Sequence, residues 1–320
     1  ALEVSKVHMD DVIIDPDKIA TFQHSGYTLV PGLFCRDEIN HYREHFKAIN
    51  LSLRAEETST VQGVEFDADS MQKRPIEKIV QNNAERSYRT LHDGDPLAVF
   101  PRIMQPHRYD QLSLSWLLDQ RIRTWLKALL GRDPYAVQTM YYFKPPGARG
   151  QALHQDQYYL QVQPGTCVAA WMAVDHSDTE NGCLQVVPGS QDLPVLCTEK
   201  ASLAESFIDT TVPLPDGLTS EPIIMNPGDV LFFNGQIIHG SLPNTSDACF
   251  RQSLIGHYIV GEARKVAELY FPVLDMDGQE VNLDVSEGGG PCGVWVGEDG
   301  SPRISMMSGT TLLLPDCRNS

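Results

Sequence analysis

Residues 167–190 read CVAAWMAVDHSDTENGCLQVVPGS, and their pattern decides the fold. Cys167–Val174 and Leu184–Val187 are short apolar runs. A polar segment ending in Glu180-Asn181-Gly182 separates them, and Pro188-Gly189 closes the second. Short apolar runs bounded by Gly, Pro and Asn mark β-strands joined by turns. The pattern continues on both sides. Val137–Phe143, Ala152–Leu160, Pro222–Met225, Val230–Phe233, Ile237–His239 and Phe250–Val260 are further strand candidates. Pro145-Pro146-Gly147, Gln163-Pro164-Gly165 and Asn226-Pro227-Gly228 punctuate them. About eight short strands at this spacing predict a mainly β fold with flanking helices, a double-stranded β-helix of the cupin-like jelly-roll kind.

Upstream, the apolar period changes to that of helices. Asp15-Pro16 is a cap followed by proline at the first helical position, and Gly26 is a stop. Ile39, Tyr42, Phe46 and Ile49 share one face of a helix over Arg36–Ile49. Leu112, Leu118, Ile122, Trp125 and Leu129 do the same over Leu112–Leu130, with Gly131 as the stop. Between them, Leu51 to Pro106 is polar and weakly patterned, with a short helix expected near Pro75–Asn83. It contains Phe66, Met71, Ile76, Ile79, Leu97 and Phe100, too many apolar residues for a disordered chain. It reads as a lid over the open end of the barrel. After Gly261, strands are expected around Gly293–Val296 and Ser305–Leu313. The economical organisation is a single domain over 1–320. Helical support and lid occupy 1–131, the β core 132–260 and a C-terminal extension 261–320.

Composition narrows the function. Lys+Arg is 25 against Asp+Glu 42, a net charge of −17. Nucleic acid and anionic membrane surfaces both need concentrated basic charge, so neither is an expected partner. No apolar run reaches the roughly 18–20 residues that span a bilayer, and Ala1 to Asp10 lacks a basic-then-apolar leader pattern. The seven cysteines are scattered with no CxxC pair, which predicts reduced thiols and a cytoplasmic protein. The expected partner is a small-molecule substrate, and the expected state a monomer or homodimer.

His154-Gln155-Asp156 falls inside a predicted strand. Alternation puts His154 and Asp156 on one face, roughly 6–7 Å apart along the chain. That suits two ligands of one metal, and His239, after the apolar run Val230–Ile238, is the third. Two imidazoles and a carboxylate form a facial triad that holds Fe(II) with positions left open. Competing patterns exist. His176-Ser177-Asp178 repeats the HxD motif in a polar turn, and His41 and His45 stand i, i+4 on a helix. A structural zinc wants a closed set of four ligands, usually with Cys, and no such cluster is present. Arg251, 12 residues after His239, can grip the distal carboxylate of a dicarboxylic acid.

Together these residues resemble the phytanoyl-CoA dioxygenase family of Fe(II)/2-oxoglutarate oxygenases, which includes ectoine hydroxylase. The resemblance runs from about Ile19 to Tyr258. It is carried by Ala170-Trp171-Met172-Ala173-Val174-Asp175, Glu180-Asn181-Gly182, Pro188-Gly189-Ser190, Asn226-Pro227-Gly228-Asp229, His239-Gly240-Ser241 and Lys144-Pro145-Pro146-Gly147 ahead of His154. Gln191 stands where the family's histidine follows Pro-Gly-Ser. The resemblance implies that His154, Asp156 and His239 bind iron and are the catalytic set. It implies that Arg251 and Ser241 bind the 5-carboxylate of 2-oxoglutarate, and that Trp171 and Tyr142 line the cosubstrate pocket. Gln138 matches a substrate-touching glutamine of ectoine hydroxylase, and Tyr158 belongs to an aromatic lining on the substrate side.

The implied reaction consumes Fe(II)-bound 2-oxoglutarate and O₂, releases succinate and CO₂, and hydroxylates an unactivated C–H of a small metabolite or natural-product intermediate. The cofactor carries the chemistry and the protein its geometry. Desaturation, epimerisation or cyclisation are alternatives from the same centre. A non-catalytic ligand-binding β-barrel and a cupin-type isomerase are rivals of other classes. Asp156 stands where halogenating relatives carry a small residue, which disfavours halogenation.

Overall fold

A computed structural model of the chain describes residues 12–59 and 102–286. In chain order the principal strands are β1 (Tyr27–Val30), β2 (Arg102–Met104), β3 (Tyr135–Tyr142), β4 (Gln151–His154), β5 (Cys167–Ala173), β6 (Leu184–Val186), β7 (Glu199–Lys200), β8 (Thr210–Thr211), β9 (Glu221–Ile223), β10 (Val230–Asn234), β11 (His239–Ser241) and β12 (Ser253–Ile259). Four short strands follow: β13 (Lys265–Val266), β14 (Val273–Leu274), β15 (Glu280–Val281) and β16 (Asp284–Val285). The larger sheet has the order β1-β10-β5-β12-β3-β14-β15, with β2 also on β3. The smaller is β4-β11-β6-β9. Neighbours within both are antiparallel, as a jelly roll requires.

The apolar run at β5 is continuous because both of its faces are buried. Val168, Ala170 and Met172 pack toward the helices with Phe232 and Leu254. Ala169, Trp171 and Ala173 point the other way, into the space between the sheets, against Leu184, Val186, Leu231, Phe233 and Ile255. Strand side chains alternate, so one run serves two cores. The outer core is closed by helix Arg36–Ser59, whose Phe46 stacks on Tyr141 with ring centroids 4.0 Å apart. Trp125 of helix Gln120–Leu130 stacks on Phe232 at 6.2 Å. Fully burying one such aromatic contributes about 1.5–3 kcal/mol.

The first helix, Pro16–Ser25, follows its signals. The Asp15 side chain accepts from the Asp17 amide, and Gly26 ends the helix at φ 82°. Other boundaries move. The expected helix over Leu112–Leu130 is two, Gln111–Leu117 and Gln120–Leu130. Asp119 causes the break, since its carboxylate caps the second helix by accepting from Arg121 N at 2.8 Å. Arg121 is in turn paired with Asp119 and with Glu38, both at 2.8 Å. Helix Arg36–Ser59 outruns its expected end at Ile49. The strand expected over Ala152–Leu160 stops at His154 and turns into a one-turn helix, Gln157–Leu160. The strand expected at Ile237–His239 begins at His239.

Residues 261–286 pack on the barrel. Val266, Tyr270 and Val273 join Val137, Leu160, Val162 and Ile259 in one apolar cluster. Most of the expected lid, the helix near Pro75–Asn83 and the strands at Gly293–Val296 and Ser305–Leu313 lie outside the described residues. Cys35, Cys167, Cys183 and Cys249 are free thiols, whereas Cys197 is disulfide-bonded, which departs from the expectation of reduced thiols throughout. Among the described residues no helix is long and apolar enough to cross a membrane.

Candidate active site

The smaller sheet brings the two histidines together. His154 ends β4, His239 begins β11, and the two are register partners. Their ring centroids are 4.2 Å apart. Asp156 arrives differently from the expectation. It lies past the end of β4 at φ −62° and ψ −31°, capping the one-turn helix, so a strand-to-helix turn and not alternation swings it back to the histidines. Asp156 Oδ1 is 3.5 Å from His154 Nε2, and Oδ2 is 3.6 Å from His239 Nε2. One ligand atom from each of the three lies within 4.8 Å of the others, and all three residues are buried.

Local hydrogen bonds preset the donors. His154 Nδ1 meets the Ala152 carbonyl at 2.9 Å, and His239 Nδ1 meets the Ile237 carbonyl at 3.1 Å. A carbonyl only accepts, so each Nδ1 carries the proton and each Nε2 is left with its lone pair, which in His154 accepts from Gln151 Nε2 at 3.1 Å. Burial, then His154, lowers the His239 pKa to about 4, which keeps it a neutral ligand. Burial opposes ionisation of Asp156. The surrounding imidazoles of His239, His257 and His154, with the His257 contact to Oδ2 the closest, reverse that sign and hold it well below the usual carboxylate range. The chemistry of this donor set fits a divalent metal with open coordination positions, and of the common choices it fits Fe(II).

Competing ligand sets fall away. His45 Nε2 is engaged by Asp110 at 2.7 Å. His176 and Asp178 meet at 3.4 Å on a partly exposed turn. Among the described residues no group of three His, Cys, Asp or Glu other than His154, Asp156 and His239 closes on a common point.

Ser241, two residues along β11 from His239, leads to two buried basic side chains, Arg251 and Lys144. Arg251 is buried and donates from Nε to the Gly182 carbonyl at 3.1 Å and from a terminal nitrogen to Ser253 Oγ at 2.8 Å. Its guanidinium lies 5.2 Å from the Trp171 ring centre, and burial lowers its pKa to about 10. The Glu180-Asn181-Gly182 turn has a structural reason. Asn181 closes it by donating to the His176 carbonyl at 2.7 Å. Gly182 adopts φ +89°, where a Cβ would lie 2.5 Å from Lys144 Cε and 2.6 Å from the Leu242 carbonyl. Lys144 Nζ donates to Ser241 Oγ and to the Leu242 carbonyl.

The remaining expected residues sort by face. Tyr142 and Met140 pack on the inner core with Trp171. Gln138 is buried opposite His257 in the β3–β12 register. The ring beside His154 is Tyr159, at 6.1 Å, while Tyr158 sits edge-on to Tyr159 at 5.1 Å. Sequence reasoning missed His257. Its Nε2 lies 3.0 Å from Asp156 Oδ2, which makes it the donor that fixes the carboxylate. The signal was available, since Arg251, Ser253, Ile255 and His257 share parity, and Arg251 was expected to face inward.

The phytanoyl-CoA dioxygenase (PhyH) family model matches residues 22–253. Phytanoyl-CoA dioxygenase 1 of Oryza sativa subsp. japonica is 28% identical over 154 residues, 48% of this chain and 54% of that protein, so the chain spans about half the length of that relative. Phytanoyl-CoA dioxygenase of Arabidopsis thaliana is 25% identical over 247 residues, 73% of this chain and 84% of that one. Among solved structures, the non-heme alpha-ketoglutarate-dependent carbocyclase SnoK from nogalamycin biosynthesis superposes with a TM-score of 0.54 at 16% identity, covering 80% of this chain and 87% of that chain. EctD from S. alaskensis with 2-oxoglutarate and 5-hydroxyectoine gives 0.53 at 18%, covering 80% and 79%. At these identities the structural likeness concerns the fold.

Proposed function

The chain belongs to the phytanoyl-CoA dioxygenase family, and on that premise we propose that it is an Fe(II)- and 2-oxoglutarate-dependent oxygenase that hydroxylates an unactivated C–H bond of a small metabolite or natural-product intermediate. One observation carries the reading. A three-donor metal cluster stands beside buried cations that form no ion pair with an acid among the described residues. A buried charge without a counter-charge is costly. The pocket therefore suits a ligand with a chelating end for the metal and an anionic end for Arg251, which is the chemistry of a 2-oxo dicarboxylate.

His154 Nε2, His239 Nε2 and Asp156 would hold the iron. The bound metal would supply the coupling of O₂ reduction to oxidative decarboxylation of 2-oxoglutarate and to attack on the substrate C–H. His257 fixes Asp156 Oδ2, which favours one carboxylate oxygen on the metal and leaves positions open. Arg251 and Ser241 would orient the cosubstrate, with Trp171 and Tyr142 excluding water from its stem. Gln138 and Tyr158 remain proposed on the substrate side, with Tyr159 added as the ring against His154. Cytoplasmic placement and a monomeric or homodimeric state stay part of the proposal.

SnoK is a carbocyclase and EctD is seen with 5-hydroxyectoine, so the outcome at the substrate needs its own test. Labelled 2-oxoglutarate with Fe(II) and O₂ should give labelled succinate, with turnover raised by the true substrate from a metabolite pool. Gain of one oxygen in the product identifies hydroxylation. Loss of two hydrogens identifies desaturation or cyclisation, and unchanged mass with altered configuration identifies epimerisation. Binding without any succinate would mark a non-catalytic ligand-binding barrel.

A further inference from the structure

Lys144 is as buried as Arg251, at 5% and 4% exposure, and neither ion-pairs with an acid among the described residues. The fold goes to some length to keep it there. Lys144 occupies the left-handed region at φ 34°. Its carbonyl accepts from Arg251 N and from Asn244 Nδ2, both at 3.1 Å. The absent side chain of Gly182 leaves the room, since a Cβ there would lie 2.9 Å from Lys144 Nζ.

Its contacts define the state of a neighbour. Ser241 Oγ accepts from Lys144 Nζ at 3.0 Å and from Gln151 N at 3.2 Å. A hydroxyl has two lone pairs and one proton. With both lone pairs engaged, the Ser241 proton is left to donate to a third group. Resting on the function proposed above, we propose that Lys144 is a positioning residue for the distal carboxylate of the 2-oxo acid. It fixes the Ser241 hydroxyl as a donor and gives the pocket a second positive charge beside Arg251. Burial, then Arg251, lowers the Lys144 pKa well below the usual lysine range, and a carboxylate bound beside it would favour the protonated form.

Two ligands separate this role from a merely structural one. 2-Oxoglutarate and 2-oxopentanoate share the chelating end and chain length, but 2-oxopentanoate lacks the distal carboxylate. Both are titrated calorimetrically, without O₂, into the Fe(II)-loaded full chain. Lys144→Met should weaken 2-oxoglutarate about 10- to 100-fold and 2-oxopentanoate by less than about threefold. Ser241→Ala should cost less in the Lys144→Met background than alone, because the hydroxyl is then already unoriented. If Lys144→Met does not fold, Lys144→Gln is read the same way, since it can keep a donor for the Leu242 carbonyl without the charge. Equal losses for both ligands, or no loss for either, overturn the role of Lys144. A wild-type chain that binds neither 2-oxo acid overturns the proposed function instead.

Discussion

Arg251→Met separates what the pocket costs the fold from what it does for a ligand. The guanidinium is 4% exposed, and burial brings its pKa down to about 10. Keeping a charge in that place costs on the order of 3 kcal/mol. Its bonds to Gly182 and Ser253 and its contact with Trp171 offset this, so the ligand-free fold gains little from the arginine. Methionine fills similar space without charge. Urea unfolding of the ligand-free variant should therefore differ from wild type by no more than about 2 kcal/mol in either direction. The ligand side is asymmetric. Removing the guanidinium leaves a buried carboxylate unpaired, at about 2–5 kcal/mol. That is about one and a half to three and a half decades in 2-oxoglutarate affinity, read by calorimetry on the Fe(II)-loaded protein without O₂, with iron retention intact. Unchanged affinity would refute the assignment of Arg251 as the carboxylate anchor. A collapse of stability with unchanged discrimination between 2-oxoglutarate and 2-oxopentanoate would make it a structural residue.

Three further outcomes follow from the described contacts. His154→Ala and His239→Ala should each abolish Fe(II) retention and succinate formation, while His176→Ala, on its exposed turn, should change neither; metal analysis of purified variants decides. His257→Leu removes the hydrogen bond to Asp156 Oδ2 and should weaken Fe(II) about 10- to 100-fold in chelator competition, and equal affinity would remove His257 from the site. His107 is buried against Thr139, and burial, then Arg108, lowers its pKa to about 4 from 6.5. The unfolded chain thus binds the proton first, so this contribution to stability is present above about pH 6.5 and is lost as pH falls toward 4, on the order of 3 kcal/mol in all; His107→Gln should flatten that part of the acid-unfolding curve.

The strands were legible where turn residues bracket them. β5, β6 and β10 fall within a residue or so of the runs read from Cys167, Leu184 and Val230. The grouping of His154, Asp156 and His239 was legible too, but for a local reason that does not hold, because Asp156 reaches the histidines through a turn. Two acceptable conformations of His-x-Asp converge on one geometry, and sequence does not choose between them. The break at Asp119 was hidden because Leu118, Ile122 and Trp125 keep a helical period across it, and a single capping carboxylate outweighs that period. β1 was missed because four residues, Tyr27–Val30, are too few to show alternation. Lys144 and His257 were dim for another reason. A lysine or histidine in a chain this acidic is expected to find an exposed partner, and only the packed barrel shows that these two do not.

The division of labour along β5 bears on how this scaffold can acquire new substrates. Residues 168, 170 and 172 answer to the helices, and 169, 171 and 173 to the core between the sheets. Adjacent codons therefore carry unrelated burdens. A library confined to the inward parity, at Ala169 and Ala173 with Ile255, which lies between their register partners His257 and Ser253, would repack the inner core while leaving the helix contacts untouched. Changes at either parity meet the overpacking cost of a closed core, about 1–3 kcal/mol each, but those at the outward parity also disturb the helix contacts. Along one strand, changes that alter the inner core and changes that alter the helix contacts can thus be made separately.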